Sequence, residues 1–238
     1  MKQIYMILAA CLLSFSCSKN KDSEPAMGYF VKTIKSGQGE SEMKFELQYD
    51  DRNRLVEEHI KFASDDMRIR YDYDDVGRII RAWWDDRLYG TFEYEGNILT
   101  KIIVPPNDTD PERTFPVTFA DGTYQAMDGS IRFRMDDRQQ LVYDDATRGH
   151  YTYTDKPGIH KHLYIQPVWF MGELSALAFY SLKISRYEIA TITMRGTEYE
   201  ARNKTDGQGN IIRVEMMEKG TGTAQQAWDI TYEQRVLK

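Results

Sequence analysis

Paired aspartates are the most frequent arrangement in this chain that could do chemistry. Two carboxyl groups that face each other across a cleft can hydrolyse a glycosidic bond. Adjacent residues do not demonstrate such a geometry, and most of these pairs coincide with turn signals, where aspartate side chains accept backbone N–H groups. The pairs include Asp50/Asp51, Asp65/Asp66, Asp85/Asp86, Asp136/Asp137 and Asp144/Asp145. Turn formation is therefore the favoured interpretation, and a hydrolase that uses Asp or Glu is the alternative.

Two other patterns are similar to metal sites. His160 and His162 have the spacing that places two imidazoles on one face of a strand, where zinc could bind. The stretch 72–77 has the acidic spacing of a calcium loop, but Trp83 stands where an EF-hand needs a bidentate glutamate. We expect two solvent-facing strand histidines and a capped hairpin turn. The sequence thus predicts no metal, no other cofactor and no catalytic residue.

Tryptophans offer a different chemistry, because their rings stack on sugars and peptides. Trp83 and Trp84 are adjacent, so on a strand they face opposite ways and one of them leaves the core face. Trp169, beside a helical pattern, and Trp228, on the last predicted strand, complete the set of candidates. Aromatic side chains also fill half-buried sheets, which is the more frequent role for any single one. These four residues are the predicted contacts for a glycan, a peptide or a partner protein.

A repeated phrase predicts the elements that position these residues: an alternating strand, an acidic turn, and a strand back. In one copy Phe45, Leu47 and Tyr49 share one face, and the turn 50–54 follows. Aspartate at the start of such a turn and Gly or Asn near its end supply turn chemistry. The other copies are 70–80, 133–142 and 206–212. The phrase predicts an all-β fold, a long antiparallel meander that forms a strongly curled sheet or a partly closed barrel.

Two segments interrupt the meander. Residues 105–112 are rich in proline and aspartate, which predicts a long exposed loop. In residues 166–181 the apolar spacing changes to that of a helix, with Pro167 near its start. We expect one helix there, in the second half of the chain, that packs on the sheet or plugs its end.

The N-terminus reads as a bacterial lipoprotein signal. An apolar run follows Lys2 and gives way to polar residues at Ser18, too short a run to span a bilayer. Cys17 stands at that boundary and is the favoured lipidated residue, although Cys11 ends a better lipobox. The remaining alternative is an ordinary signal peptide with an incidental cysteine. The predicted organisation is a signal peptide (1–17), a polar tether (18–27) and one β-meander domain (28–238). A net charge of −6 gives no electrostatic reason to bind nucleic acid.

The phrase at 70–79 resembles the core of the YD repeats of Rhs-type proteins, which build large β-shells. The chain has only a handful of degenerate copies, so a toxin-enclosing shell is not expected. The layout from about Tyr29 to Tyr232 resembles uncharacterised Bacteroidota lipoproteins with degenerate Tyr-Asp hairpins, a helical interruption and a porin-like meander. This resemblance implies a fold and a location and brings no catalytic residues with it.

These observations predict an exported outer-membrane lipoprotein, periplasmic or surface-facing, anchored in the membrane through Cys17. Its predicted function is a non-catalytic binding or interaction module. The alternatives are the Asp/Glu hydrolase and a purely structural spacer. A membrane-spanning porin is disfavoured, because its outer band must be apolar and the second face of these strands carries many charges.

Overall fold

The computed structural model describes residues 25–37, 42–62, 65–126, 132–145, 148–170 and 185–238. These residues form sixteen antiparallel strands. The strands are β1 (Met27–Ser36), β2 (Met43–Tyr49), β3 (Leu55–Phe62), β4 (Asp65–Tyr73), β5 (Ile79–Trp84), β6 (Arg87–Glu95), β7 (Ile98–Val104), β8 (Arg113–Ala120), β9 (Thr123–Ala126), β10 (Arg132–Met135), β11 (Leu141–Asp144), β12 (Gly149–Pro157), β13 (Tyr187–Met194), β14 (Thr197–Thr205), β15 (Ile211–Glu218) and β16 (Ala224–Val236). The predicted all-β antiparallel fold is confirmed.

The sheet closes on itself. Each strand pairs with its neighbours in sequence, and β1 pairs with β16 from Met27↔Val236 to Ser36↔Trp228, with a bulge between Val31 and Thr33. Closure removes the unpaired edges that an open sheet would expose. Of the two predicted forms, a curled sheet or a barrel, the chain therefore adopts the barrel, and it is fully closed.

The barrel has two different ends. The connections β2–β3, β4–β5, β10–β11 and β14–β15, which are the repeated acidic turns, lie at one end, called here the repeat end. The hairpin β5–β6 and the loop 105–112 lie at the opposite end, called the loop end. The loop 105–112 is exposed over most of its length, as predicted.

The inner face of the barrel carries the hydrophobic core. Phe45, Leu47 and Tyr49 on β2 are buried, as the alternation predicts, while Gln48 between them is exposed. On β4 and β5 the directly paired Tyr71 and Ala82 are buried as well. A barrel of this many strands encloses more space than its own inward side chains fill. Another part of the chain occupies some of this interior.

That part is the segment after β12, residues 158–170, called here the plug. It leaves the sheet at Pro157 and crosses the repeat end, where the Gln166 side chain donates to the Gly77 carbonyl at 3.0 Å. Ile165, Val168 and Trp169 are fully buried in the same core as the strands. The interior is therefore packed from the repeat end.

The predicted helix at 166–181 falls within and beyond the plug. Only its start is described: Pro167–Phe170 forms a 3-10 turn. Residues 171–184 lie outside the described residues, and no α-helix occurs in the part of the chain that the structure describes. Of the predicted segment, the described residues Val168 and Trp169 are buried in the core, and the expectation for residues 171–181 lies outside the described residues.

The outer face is polar and charged. Ion pairs link neighbouring strands, such as Arg81 with Asp72 at 2.8 Å and Arg213 with Asp229 at 2.7 Å. A Lys or Arg on the lipid face of a transmembrane barrel costs about 2–4 kcal/mol at the bilayer midplane. This outer face therefore has the chemistry of a surface in water. Within the described ranges, no helix has the length and hydropathy of a transmembrane span.

Candidate functional site

The aspartates that begin the repeated turns are engaged in the turns themselves. In the turn 74–78, Asp74 Oδ1 accepts the N–H groups of Val76 at 3.1 Å and Arg78 at 2.8 Å, and its Oδ2 lies 2.7 Å from Arg78 Nε. Asp50, Asp136 and Asp206 accept the same two backbone N–H groups in their turns. Turn formation is confirmed for these four carboxylates, but it is wrong for Asp65 and Asp66, which lie on strand β4, and for Asp144, which is buried on strand β11.

Hydrogen bonds also set the ionisation of these carboxyl groups. Burial raises the pKa of Asp74, but the backbone N–H and guanidinium of Arg78 outweigh it and hold that pKa below the ordinary 3.8. Asp50 has a lowered pKa by the same balance of burial and donors from Arg54. The side chain of Asn210 lowers the pKa of Asp206. Three of the repeated turns thus favour an ionised aspartate.

The backbone conformation at the fourth position of each turn explains why Gly, Asn and Gln recur there. Asn53, Gly77, Gln139 and Gly209 all have positive φ, between 59° and 91°. A side chain in that region costs energy unless it is glycine or a small amide, so the turn selects these types. The signal was readable from the sequence for three of these positions, and Gln139 is the atypical one.

Consecutive repeats are fastened to each other at the repeat end. Tyr73 donates its hydroxyl to the Leu55 carbonyl at 2.6 Å, and the Arg54 guanidinium lies 4.5 Å from the centre of the Tyr73 ring. Tyr94 repeats both contacts with Ile79 and Arg78. Burial raises the pKa of the Tyr73 hydroxyl far above its usual range, so it stays a donor. The Tyr-Asp phrase is therefore a structural device of the barrel rim.

The histidine pair is placed differently from the expectation. His160 and His162 follow the end of β12 and lie on a turn of the plug, so their predicted position on a strand is wrong. His160 is buried, and its backbone N–H donates to the Ser185 carbonyl at 3.0 Å. The reason is that the chain leaves the sheet at Pro157, which ends the alternation. No cluster of three or more His, Cys, Asp or Glu within the described segments could hold a metal ion.

Adjacent tryptophans face opposite sides of the barrel wall, as predicted. Trp84 pairs with the buried Ile69 and so shares the inner face. Trp83 pairs with Arg70 on the outer face, where its Nε1 donates to Asp72 at 2.9 Å. The guanidinium groups of Arg70 and Arg81 lie 5.8 and 5.9 Å from its ring centre. Trp83 belongs to the charged outer surface, and Trp84 to the mouth of the barrel.

The other two candidate tryptophans lie in the core. Trp169 is fully buried in the plug, with its ring centre 6.2 Å from that of Tyr71. Trp228 is buried on β16, where it pairs with Val214 and Ser36. Neither ring faces solvent, so among the four candidates the structure leaves Trp83 and Trp84 to meet a ligand.

A cleft of about 1390 Å³ opens beside Trp84 at the loop end. Its walls are residues 84–89 of the hairpin β5–β6 and residues 104–109 with Arg113 and Phe115. Phe115 pairs with the buried Ile102, so its side chain lies on the inner face of the barrel beside the cleft, as that of Trp84 does. The ring of Tyr89 lies 6.1 Å from that of Trp84. Three aromatic side chains thus meet at one opening of the barrel.

Polar groups border these rings. Asp85 accepts the Arg68 N–H at 2.9 Å and has a φ of 52°, so it shapes the hairpin turn. The fully exposed Asp86 side chain lies 3.3 Å from the Arg70 guanidinium. On the facing wall, the Arg113 guanidinium lies 5.7 Å from the centre of the Phe115 ring. The cleft combines apolar rings with groups that can accept and donate hydrogen bonds.

Sequence reasoning missed Tyr89, Arg113 and Phe115 as members of a site. Their signal was indirect: Phe115 alternates with Val117 directly after the loop 105–112. Sequence reasoning also missed Glu58, which is fully buried and accepts the Tyr71 hydroxyl at 2.8 Å. Alternation with the buried Ile60 places Glu58 on the inner face, which the pattern could have shown.

Comparisons with known proteins bear on the fold. The barrel is similar to the crystal structure of a porin-like protein from Bacteroides uniformis, with a TM-score of 0.50, 13% identity, and coverage of 85% of this chain and 96% of that one. A porin-like protein from Bacteroides vulgatus aligns with a TM-score of 0.42 and 11% identity over 87% of this chain and 99% of its own. No protein-family model matches the sequence, and no curated protein does. The first likeness shows that this chain has a porin-like β-barrel fold.

Proposed function

We propose that this protein is a non-catalytic binding module of the cell envelope that takes a glycan in the cleft at the loop end. The observation that carries the proposal is the meeting of Trp84, Tyr89 and Phe115 at the mouth of the barrel. Ligand sites are concave, mainly apolar, and carry a few polar groups that orient the ligand. The volume of about 1390 Å³ accommodates an oligosaccharide rather than a single small molecule.

A sugar fits this cleft because a pyranose has both an apolar C–H face and polar hydroxyl groups. The C–H face of a pyranose packs on an aromatic ring, and its hydroxyls exchange hydrogen bonds with carboxylates and guanidinium groups. Asp86, Arg87 and Arg113 border the cleft and can take those roles. Asp85, the neighbouring carboxylate, is engaged with the Arg68 N–H, which supports binding over hydrolysis.

The proposed location is the outer membrane, with the barrel in water and a lipid on Cys17. The charged outer face supports a barrel that stands outside the bilayer. Strand β1 begins at Met27, where the predicted tether 18–27 ends. A tether of this length and composition lets the barrel lie outside the hydrocarbon core while the lipid stays in it.

Metabolic labelling with a palmitate analogue tests the anchor. We expect incorporation into the wild type and into Cys11→Ser, and none into Cys17→Ser, because only Cys17 would carry the lipid. In-gel detection of the label on the purified protein measures this. Label that is retained in Cys17→Ser and lost in Cys11→Ser would move the anchor to the other cysteine; no label on the wild type would refute lipidation.

Trp84→Ala tests the glycan site. Titrating the protein with a panel of host and microbial oligosaccharides is expected to shift the tryptophan emission saturably with at least one of them. Trp84→Ala should weaken the affinity for that sugar about tenfold or more, because a stacking ring at the centre of a site carries much of the binding energy. Isothermal titration calorimetry measures the affinity of each variant without relying on the indole.

Trp83→Ala is the matched control, since it removes the neighbouring indole on the opposite face of the same strand. It should leave the affinity within about twofold, the size of effect usual for residues outside a site. Equal losses in both variants would show that the ligand does not distinguish the cleft from the outer wall. The absence of binding across the panel would contradict the glycan proposal.

A further inference from the structure

Among the described residues, the exposed large hydrophobic side chains are concentrated at one end of the barrel. Seven of the eight large hydrophobic residues with high exposure in the described chain belong to the repeat end, and only Phe62 lies at the opposite end. The seven are Met27, Val76, Ile98, Phe119, Tyr164, Val236 and Leu237. Val76, 74% exposed, sits at the tip of the turn 74–78. Single exposed hydrophobic residues are ordinary, but such a segregation marks an interaction surface.

These residues lie along one part of the rim, from the junction of β1 and β16 to the hairpin β8–β9, with the polar turn 50–54 between Met27 and Val76. Going round the barrel, Met27, Val236 and Leu237 stand at the junction of β1 and β16; Val76, Ile98 and Phe119 then belong to three successive hairpins. Tyr164 of the plug is 47% exposed and lies at the same end of the barrel. We call these seven residues the apolar arc.

Hydrogen bonds tie the turns that carry Val76 and Ile98 to their neighbours along the rim. Arg235 donates to the Asp50 carbonyl at 2.5 Å, and Arg54 donates to the Asp74 carbonyl at 3.4 Å. Arg78 donates in turn to the Gly96 carbonyl in the hairpin that carries Ile98.

We propose that the apolar arc rests on the surface of a lipid bilayer, so that the loop-end cleft faces away from the membrane. The chain itself argues for this occupant, because the tether 18–27 joins the barrel at Met27, within the arc. A linker of ten residues spans about 18 Å as a random coil and at most about 35 Å when fully extended. The repeat end is therefore the end that the anchor brings to the bilayer.

The charges on these turns specify the kind of lipid. The turns expose Asp51, Asp75, Glu95 and Asp121 against Arg52 and Lys238. These exposed turn residues are therefore more acidic than basic, whereas a surface that selects anionic headgroups carries a basic patch. The arc should insert its side chains among zwitterionic headgroups, and anionic lipids should weaken the contact.

Vesicle flotation tests the arc on the chain from Ser18, which contains all sixteen strands and neither cysteine. We expect this unlipidated chain to float with phosphatidylcholine vesicles, and to float less when phosphatidylglycerol is added. The double variant Val76→Ser/Ile98→Ser should lower the partition coefficient about tenfold or more, because two apolar side chains leave the interface. Phe62→Ser, the matched control at the opposite end, should leave it unchanged.

A second measurement gives the orientation. In this cysteine-free chain, a dye on Val76→Cys should be quenched by nitroxide lipids, and a dye on Phe62→Cys should not. Failure of the chain to float, equal loss in the Phe62→Ser control, or a dimer in sedimentation that the double variant dissociates would each overturn the proposal. The inference rests on the proposed envelope location and not on the glycan, so failure of the sugar titration leaves the flotation result intact.

Discussion

Replacing Trp169 with alanine is expected to lower the free energy of unfolding by about 3–5 kcal/mol. Trp169 is fully buried, and its indole reaches the inner wall of the barrel beside Tyr71. The wall is a closed ring of hydrogen-bonded strands, so it cannot collapse to fill the space that the indole leaves. Urea denaturation followed by far-UV circular dichroism measures the difference.

Tyr164→Ala is the matched control on the same segment. Tyr164 is an aromatic residue of the plug with 47% of its surface exposed, so its removal opens no internal cavity. We expect a change of at most about 1 kcal/mol. If Trp169→Ala were as mild as this control, the plug would contribute little to the core, and the interior would have to be packed by the strands alone.

Replacing Asp74 with alanine should cost about 2 kcal/mol near neutral pH. The change leaves the N–H groups of Val76 and Arg78 without their acceptor, and frees the Arg78 guanidinium from its ion pair. Arg78 also reaches the Gly96 carbonyl and the Tyr94 ring, so the loss extends to the next hairpin. Urea denaturation at about pH 7 gives the magnitude.

The cost of that substitution should depend on pH. The folded pKa of Asp74 is lowered below the ordinary 3.8 of the unfolded chain. A depressed carboxyl pKa stabilises the fold above the unfolded pKa, and this contribution is lost as the pH falls through the folded pKa. The difference between the wild type and Asp74→Ala should therefore be full at about pH 7 and shrink below about pH 4.

Asp75→Ala separates the turn effect from a general charge effect. Asp75 is exposed at the tip of the same turn, next to Val76. Its replacement removes the same charge and should change the stability by no more than about 0.5 kcal/mol at either pH. A loss in Asp75→Ala equal to that in Asp74→Ala would show that net charge, rather than the hydrogen bonds of the turn, controls the stability.

The candidate site could be predicted from the sequence only in part. The opposite faces of Trp83 and Trp84 follow from strand geometry alone, and the pairing of Trp84 with Ile69 agrees. The cleft does not follow, because it requires the hairpin β5–β6 and the loop 105–112 to stand side by side. That arrangement comes from the order of strands round the barrel, which the sequence of a single strand does not predict.

By itself the sequence determined the local structure of this protein. Period-two alternation set the inner and outer faces, as at Phe45, Leu47 and Tyr49, and the repeated aspartates set the turns, because both depend only on neighbours in the chain. Only the tertiary structure decided the closure of β1 on β16, the burial of His160 and Trp169 in the plug, and the gathering of the apolar arc. These features depend on contacts between residues distant in sequence, and their free energy arises from enclosing one shared interior, which no local pattern encodes.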